Sequence, residues 1–293
     1  DLRRVMSKSA ASVVMKIMYG ARMARFDLLR AVQGLARSIS TWSPLNDLQL
    51  RRLVCYIQHT KSKRMCGWVG DATENIHPAQ FSDSDCAGCA IAKRSTTGGM
   101  AVLKGAFTSF PIGAVSKRQT IVSTSTTEAE MTAAQIYLQR TGLPIGQLWA
   151  DICSTHNYDP RPLSALLDNA AMLEIIRTGR NLTMRLMKST HGICIAWLCE
   201  IFNLPTVKMA YVRSNIMRTD IFTKAFTNKA KWETLCNLTN LRSAAPHKGA
   251  WALLGELLTS HGRVTPALQA EHQRGRFASF DPSPWPPGCP PAR

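Results

Sequence analysis

Apolar positions in the first sixty residues recur at close to helical spacing. Leu2, Val5, Met6, Val13, Val14, Ile17 and Met18 mark one face of a first helix. A second helix is predicted through "ARFDLLRAVQGLAR" (24–37), after which Pro44 in "TWSPLND" breaks the pattern. A third, "LQLRRLVCYIQH" (48–59), is expected to take Asn46 or Asp47 as its cap. From about residue 78 the period shortens to that of strands. Gln80 to Asp83 reads as one strand, with "GGMAVLKG" (98–105) and "PIGAVSKRQTIV" (111–122) as the next two. Gly98, Gly99, Gly105 and Pro111 punctuate them.

The helical period returns near Thr127, with Met131, Ala134 and Leu138 on one face, and Pro144 is expected to kink or end that helix. A strand "LSALLD" (163–168) and a helix "AAMLEIIRTG" (170–179) follow. Then come a helix "STHGICIAWLCEIF" (189–202) capped by Ser189 or Thr190, a strand "TVKMAYV" (206–212) and a helix from about Thr219 to Leu241. Three strands, helix, strand, helices, strand and helix imply an α/β fold with a mixed sheet covered by helices. The chain divides into a helical segment (1–70), an α/β domain (71–242) and a divergent tail (243–293). The tail ends in "DPSPWPPGCPPAR" and is expected to stay extended or disordered.

Charge narrows the partners. Thirty-six Lys and Arg against nineteen Asp and Glu give +17 over 293 residues, which points to a polyanion such as nucleic acid. No run approaches the roughly 20 apolar residues of a membrane span, so no membrane partner is expected. No secretory leader is visible, and nine irregularly spaced cysteines suggest reduced thiols in an intracellular protein. Because the first residue is Asp1, the chain reads as a piece of something longer.

Against that basic background, four acids stand at strand ends and helix starts: Asp83, Glu130, Asp168 and Asp220. Such places in mixed sheets gather ligand sites. Converging carboxylates repel one another unless cations neutralise them, which suggests Mg²⁺ or Mn²⁺. Two such ions would serve an in-line phosphoryl displacement. Each acid also has a plainer reading. Glu130 stands three residues after Thr127, as the glutamate of a capping box would. Asp168 and Asp220 can cap the helices that follow them, and Asp83 and Asp85 can form a turn.

Five stretches occur in order: "FSDSDCAG", "RSTTGG", "SKRQTIVSTSTTEAEM", "LLDNAAM" and "RTDIFTKAF". Together they resemble the ribonuclease H domain of copia-type retrotransposon Pol polyproteins. "YGARMARFDLLRAVQGLAR" and "RRLVCYIQHTKSKRMCGWVG" resemble the segment that joins it to the reverse transcriptase. The resemblance implies a ribonuclease H-like five-stranded mixed sheet flanked by helices. It also implies an endonuclease that cuts the RNA strand of RNA–DNA hybrids with two Mg²⁺ or Mn²⁺ ions. By that resemblance Asp83 would bridge both metals, Glu130 and Asp168 would hold one, and Asp220 the other. The reverse transcriptase portion of the parent polyprotein would be a partner. The location would be intracellular, in cytoplasmic retrotransposon particles or in the nucleus. A non-catalytic remnant, or a structural nucleic-acid-binding module of the polyprotein, is the alternative. The chain departs from the family with Cys86 where Trp is usual, Met131 where Tyr is usual, and "TGLPIGQ" inside the long helix.

Other candidates are thinner. Cys86 and Cys89 have no second pair at zinc spacing. No nucleophile-elbow, phosphate-loop or polymerase Tyr-x-Asp-Asp motif is present. His191 reads as an ordinary histidine at a helix start. Arg94, Lys117 and Arg118 are candidate contacts to the nucleic-acid backbone, or else a solvated strand edge.

Overall fold

A computed structural model describes residues 9–86, 93–120, 122–181 and 193–243. The chain divides into two units, Asp1–Arg242 and Ser243–Arg293. The first is described below. Most of the tail, together with Cys89, Ser189, Thr190 and His191, lies outside the described residues.

Three helices open the chain: α1 (Ala10–Met23), α2 (Leu29–Ala36, entered through a 3-10 turn at Phe26–Leu28) and α3 (Pro44–His59). The break at Pro44 separates α2 from α3, and α3 is capped by the residue before that proline, not by the expected Asn46 or Asp47. Ser43 is the N-cap, Asn46 Oδ1 accepts from Ser43 N at 2.9 Å, and proline occupies the first turn, where a missing N–H costs nothing. Strand β1 (Lys63–Met65) leads to β2 (His77–Ser84), β3 (Thr96–Lys104) and β4 (Ser109–Arg118). The expected third strand thus stops at Arg118 instead of running to residue 122.

Helix α4 (Thr126–Tyr137) does not end at Pro144. It passes through a π-helical turn, Leu138–Gly142, into α5 (Leu143–Thr155), and proline sits in the first turn of α5. The wider turn absorbs the lost hydrogen bond and keeps the helix continuous. A Cβ on Gly142 would stand 2.0 Å from Gln80 Oε1, so a glycine lets this turn lie directly on β2.

The chain continues through β5 (Leu163–Leu167), α6 (Ala170–Thr178), α7 (Ile195–Phe202) and β6 (Val207–Tyr211). Helix α7 begins at Ile195 with Cys194 as its cap, later than the expected Ser189 or Thr190. The single helix expected from 219 to 241 is two: α8 (Asp220–Thr223) and α9 (Lys229–Leu238). Lys224 turns extended after α8, and Asn228 restarts the helix by accepting from Lys231 N at 3.1 Å. Strand β7 (Leu241–Ser243) then pairs with β1.

The main sheet has the order β4-β3-β2-β5-β6. Strands β2, β3 and β4 are antiparallel neighbours, whereas β5 runs parallel to both β2 and β6. This is the mixed five-stranded sheet expected from the sequence. Ala79 and Phe81 of β2, Met100 and Val102 of β3, and Leu166 of β5 pack with α1–α3, α8 and α9. Leu163 and Leu167 face the other way, into a core with α4, α6 and α7. Alternation along each strand builds the two layers. Among the described residues, no helix is long and apolar enough to cross a membrane.

One glycine positions the functional end of the sheet. Gly98 pairs with Asp83 in the β2–β3 ladder. A Cβ there would stand 2.6 Å from Thr223 Cγ2 and 3.0 Å from Thr219 O, so its absence lets α8 settle against β3 beside Asp83. Gly98→Ala is expected to lower stability by about 1–3 kcal/mol, the usual cost of forcing a methyl into a packed contact. Thermal denaturation would register the change, and an unaltered melting temperature would contradict this packing account.

Candidate metal centre

Asp83 and Asp168 come together through strand register. Phe81 pairs with Leu166 in the parallel β2–β5 ladder, and each aspartate lies two residues further along its own chain. Two carboxylates therefore emerge level with each other at the ends of neighbouring strands. Glu130 approaches from the second turn of α4. Ligand oxygens of these three residues lie within 4.8 Å of one another. Asp83 is buried, while Glu130 and Asp168 are half-buried.

The plainer readings of the acids do not hold here. The cap of α4 is Ser125, whose side chain accepts from Glu128 N at 3.2 Å. Glu128 reaches back in turn: its carboxylate accepts from the backbone N–H of Thr124 and from Thr124 Oγ1 at 2.7 Å. The capping glutamate is thus Glu128, and Glu130 is left to face Asp83. Asn169, not Asp168, caps α6, its Oδ1 accepting from Met172 N at 2.9 Å. Asp85 continues the β2–β3 ladder, its carboxylate accepting from Thr96 N across it.

Asp220 joins the group indirectly. It is buried at the first position of α8, and its Oδ1 lies 2.6 Å from Lys224 Nζ. The same ammonium is 3.6 Å from Asp83 Oδ2. Thr223 Oγ1 donates to that Oδ2 at 2.6 Å. Thr223 and Lys224 follow Asp220 by three and four residues, the spacing that puts side chains on one side of a turn. The short helix therefore applies an acid, a hydroxyl and a cation to one strand end. Sequence reasoning took only Asp220 from this stretch, although "DIFTKA" contained all three.

Electrostatics shows the strain. Burial raises the Asp83 carboxyl to about 6, although Lys224 and the Thr223 hydroxyl partly restrain the shift. Burial likewise raises Glu130 to about 7. A hydrogen bond from Asn169 opposes that shift, and the charges of Asp83 and Asp168 add to it. Asp168 is also pushed up by burial, against a hydrogen bond from Ser214. Burial would lower Lys224, but the surrounding carboxylates outweigh it and hold the ammonium charged. Asn169 thus does two jobs, and neither it nor Ser214 was singled out from sequence. With Tyr211, these groups line an open cleft over the acids. A donor set made of carboxylate oxygens fits a hard divalent cation.

The basic candidates gather at the same end of the sheet but outside the acid cluster. Lys117 pairs with Thr97 and Arg118 with Thr96, while Thr97 also pairs with Ser84 beside Asp83. Lys117 is exposed, and Arg118 and Arg94 are half-buried. Cys86 lies exposed at the rim of the cleft.

Two solved structures are similar to this chain. One is a ribonuclease H1 isolated from compost by a metagenomic approach. Its TM-score is 0.34 at 14% identity, over 50% of this chain and 92% of that one. The other is the N-terminal ribonuclease H domain of a Mycobacterium tuberculosis protein, solved as a fusion with maltose-binding protein. Its TM-score is 0.32 at 12% identity, over 55% of this chain and 97% of that one. No protein-family model matches the chain, and no curated protein sequence does.

Two expectations follow from the charges. Asp83 and Glu130 titrate above their ordinary 3.8 and 4.5, so between those values and about 6 and 7 the folded chain binds more protons than the unfolded one. These groups therefore remove stability as pH rises through that window. Comparing the melting temperature of the metal-free protein with that of Glu130→Gln isolates the effect from His77, whose half-buried imidazole acts the opposite way. The variant should lose less stability than the parent between about pH 5 and pH 7.5. Equal slopes would mean that Glu130 does not titrate as described. Separately, Lys224→Met leaves Asp83 and Asp220 without the ammonium between them. It should lower the melting temperature in chelator by more than it does in excess Mg²⁺. An equal loss in both conditions would show that Lys224 does not act on the acids.

Proposed function

We propose that this chain is a two-metal endonuclease that hydrolyses the RNA strand of RNA–DNA hybrids, and that it derives from the Pol polyprotein of a copia-type retrotransposon. The observation that carries the proposal is the level placement of Asp83 and Asp168 on adjacent parallel strands, with Glu130 against them. The order of the five motifs supports the retrotransposon assignment, and the +17 charge supports a polyanionic substrate.

In this proposal Asp83, Glu130 and Asp168 would hold the cations, joined by Asp220 once it parts from Lys224. Mg²⁺ or Mn²⁺ held there would supply Lewis-acid stabilisation of the attacking and leaving oxygens. Thr223 fixes the rotamer of Asp83, Asn169 orients Glu130, and Ser214 orients Asp168. Arg94, Lys117 and Arg118 bind backbone phosphates beside the cleft. Contacts to 2′-hydroxyls across the minor groove select the RNA strand. Cleavage leaves a 5′-phosphate and a 3′-hydroxyl. The helical segment (1–70) serves as the connection to a reverse transcriptase portion, the catalytic domain spans 71–242, and the tail (243–293) is dispensable. The working location is intracellular, in cytoplasmic particles or the nucleus.

A labelled RNA–DNA hybrid incubated with Mg²⁺ tests the proposal. The parent chain should cut the RNA strand, chelator should abolish cutting, and Asp83→Asn should be inactive. Glu130→Gln should lose orders of magnitude in rate, because the amide removes a charge that holds a cation. Glu128→Gln should retain most activity, since an amide oxygen can still accept from Thr124. Cleavage that persists in chelator, or reversed phenotypes for the two glutamates, would overturn the assignment.

A further inference from the structure

At the end of the sheet away from the acids, three cations gather around a partly exposed tryptophan. Ser109 is the hub of the group. It pairs with Lys104 across the β3–β4 ladder, and it exchanges backbone hydrogen bonds with Trp68 at 3.0 and 3.1 Å. Its hydroxyl lies 3.3 Å from the Arg218 guanidinium. Arg218 also reaches Asn240 Oδ1 at 3.3 Å and lies over the Phe81 ring, 5.1 Å from the centroid. Arg242 covers the Trp68 ring at 5.8 Å, and its guanidinium donates to Asn237 Oδ1 at 2.6 Å.

The partners of both guanidiniums are neutral. Among the described residues, no ion pair reaches Lys104, Arg218 or Arg242. The carboxylate of Asp71, at the neighbouring hairpin tip, is engaged by Phe107 N at 2.8 Å. Burial and the charge of Arg218 together lower Lys104. Three half-buried cations that repel one another and lack a counterion favour an anionic ligand.

The rings narrow the choice of anion. Trp68 is 37% exposed, and Phe107 at the hairpin tip is 52% exposed. A small anion would use the cations and ignore the rings. An unpaired polynucleotide uses both, because its phosphates neutralise the cations while its bases pack against the exposed parts of the rings. We propose that this surface binds a single-stranded segment of nucleic acid. Lys104 pairs with His77, six residues before Asp83 on β2. At about 3.3 Å per residue Lys104 is therefore about 20 Å along the sheet from Asp83, within reach of a short run of unpaired nucleotides. An unpaired strand leaving a hybrid held at the acid cleft would reach it.

The proposal shares with the reading above only its class of ligand, and the test is set up to keep the two apart. Fluorescein-labelled oligothymidine would be titrated in chelator with the full chain carrying Asp83→Asn, so that neither cation binding nor cleavage enters. Trp68→Leu and Arg242→Gln should each weaken binding by about ten-fold, whereas Trp68→Phe, which keeps a ring, should lose much less. A short blunt hybrid should bind these variants as it binds the parent, and melting temperatures should show that they remain folded. Unchanged oligothymidine affinity in Arg242→Gln would overturn the proposal, even if the tryptophan variants proved unstable. Equal losses for single strand and blunt hybrid would also overturn it, because they would show only a general loss of charge. Failure to bind oligothymidine at all would overturn it outright.

Discussion

Asp83, Glu130 and Asp168 hold their oxygens within 4.8 Å of one another, in partly buried positions, and like charges so placed repel. No local preference of the chain would bring them there. Strand register, helix placement and packing must impose the arrangement, and the raised values of all three carboxyls record its cost. The rigid parts of the fold meet at this point. Two parallel strands end level with each other, and a long helix is anchored across the sheet. Residues that touch the acids, such as Asn169 and Thr223, are themselves tied to helix caps or short helices.

The segment that ends the domain completes this arrangement. Helix α8 is only four residues long and would not be stable alone. It persists because Gly98 leaves room for it on β3 and because Ile221 and Phe222 are buried in the core it shares with the sheet and the N-terminal helices. Its ammonium, Lys224, provides one positive charge between Asp83 and Asp220. The protein thus carries a cation of its own at the position where the proposed function requires a second metal. An ammonium on a flexible stem can leave such a position at lower cost than a packed group can, and the Lys224 side chain is 40% exposed.

The order of elements was legible because β2, β3 and β5, buried on both faces, read as short, largely apolar runs set apart from the helical periodicity on either side. The ends of elements were less legible. Pro44 can break a helix or begin one, and what decides is whether the residue before it can cap; Ser43 can. Ser125, Thr126 and Thr127 are all capping residue types, and from sequence Thr127 with Glu130 fitted a capping box. Tertiary contacts chose Ser125, and that choice freed Glu130. The single helix expected from 219 to 241 failed for a similar reason. Asn228 caps better than it continues a helix, and Asn240, at φ 63, ends one. The acids themselves stood out because carboxylates are scarce in this chain. Their supporting partners did not, since Asn, Ser and Thr look alike in any loop.

The distribution of charge along the sheet follows from the same economy of carboxylates. Nineteen acids serve 36 Lys and Arg, and several of the acids are spent where they repel one another. Cations elsewhere must then take neutral partners, as Arg218 does with Ser109, Asn240 and the Phe81 ring. One end of the sheet is therefore rich in acids that favour a cation. The other holds Lys104, Arg218 and Arg242, which favour an anion. A nucleic acid carrying bound divalent ions satisfies both ends at once: its metals neutralise the carboxylates and its phosphates neutralise the guanidiniums. Such a ligand relieves two electrostatic penalties that the isolated fold sustains. The affinity it gains thereby depends on salt at the basic end and on divalent cation at the acidic end, so the two contributions are separable by ionic conditions alone.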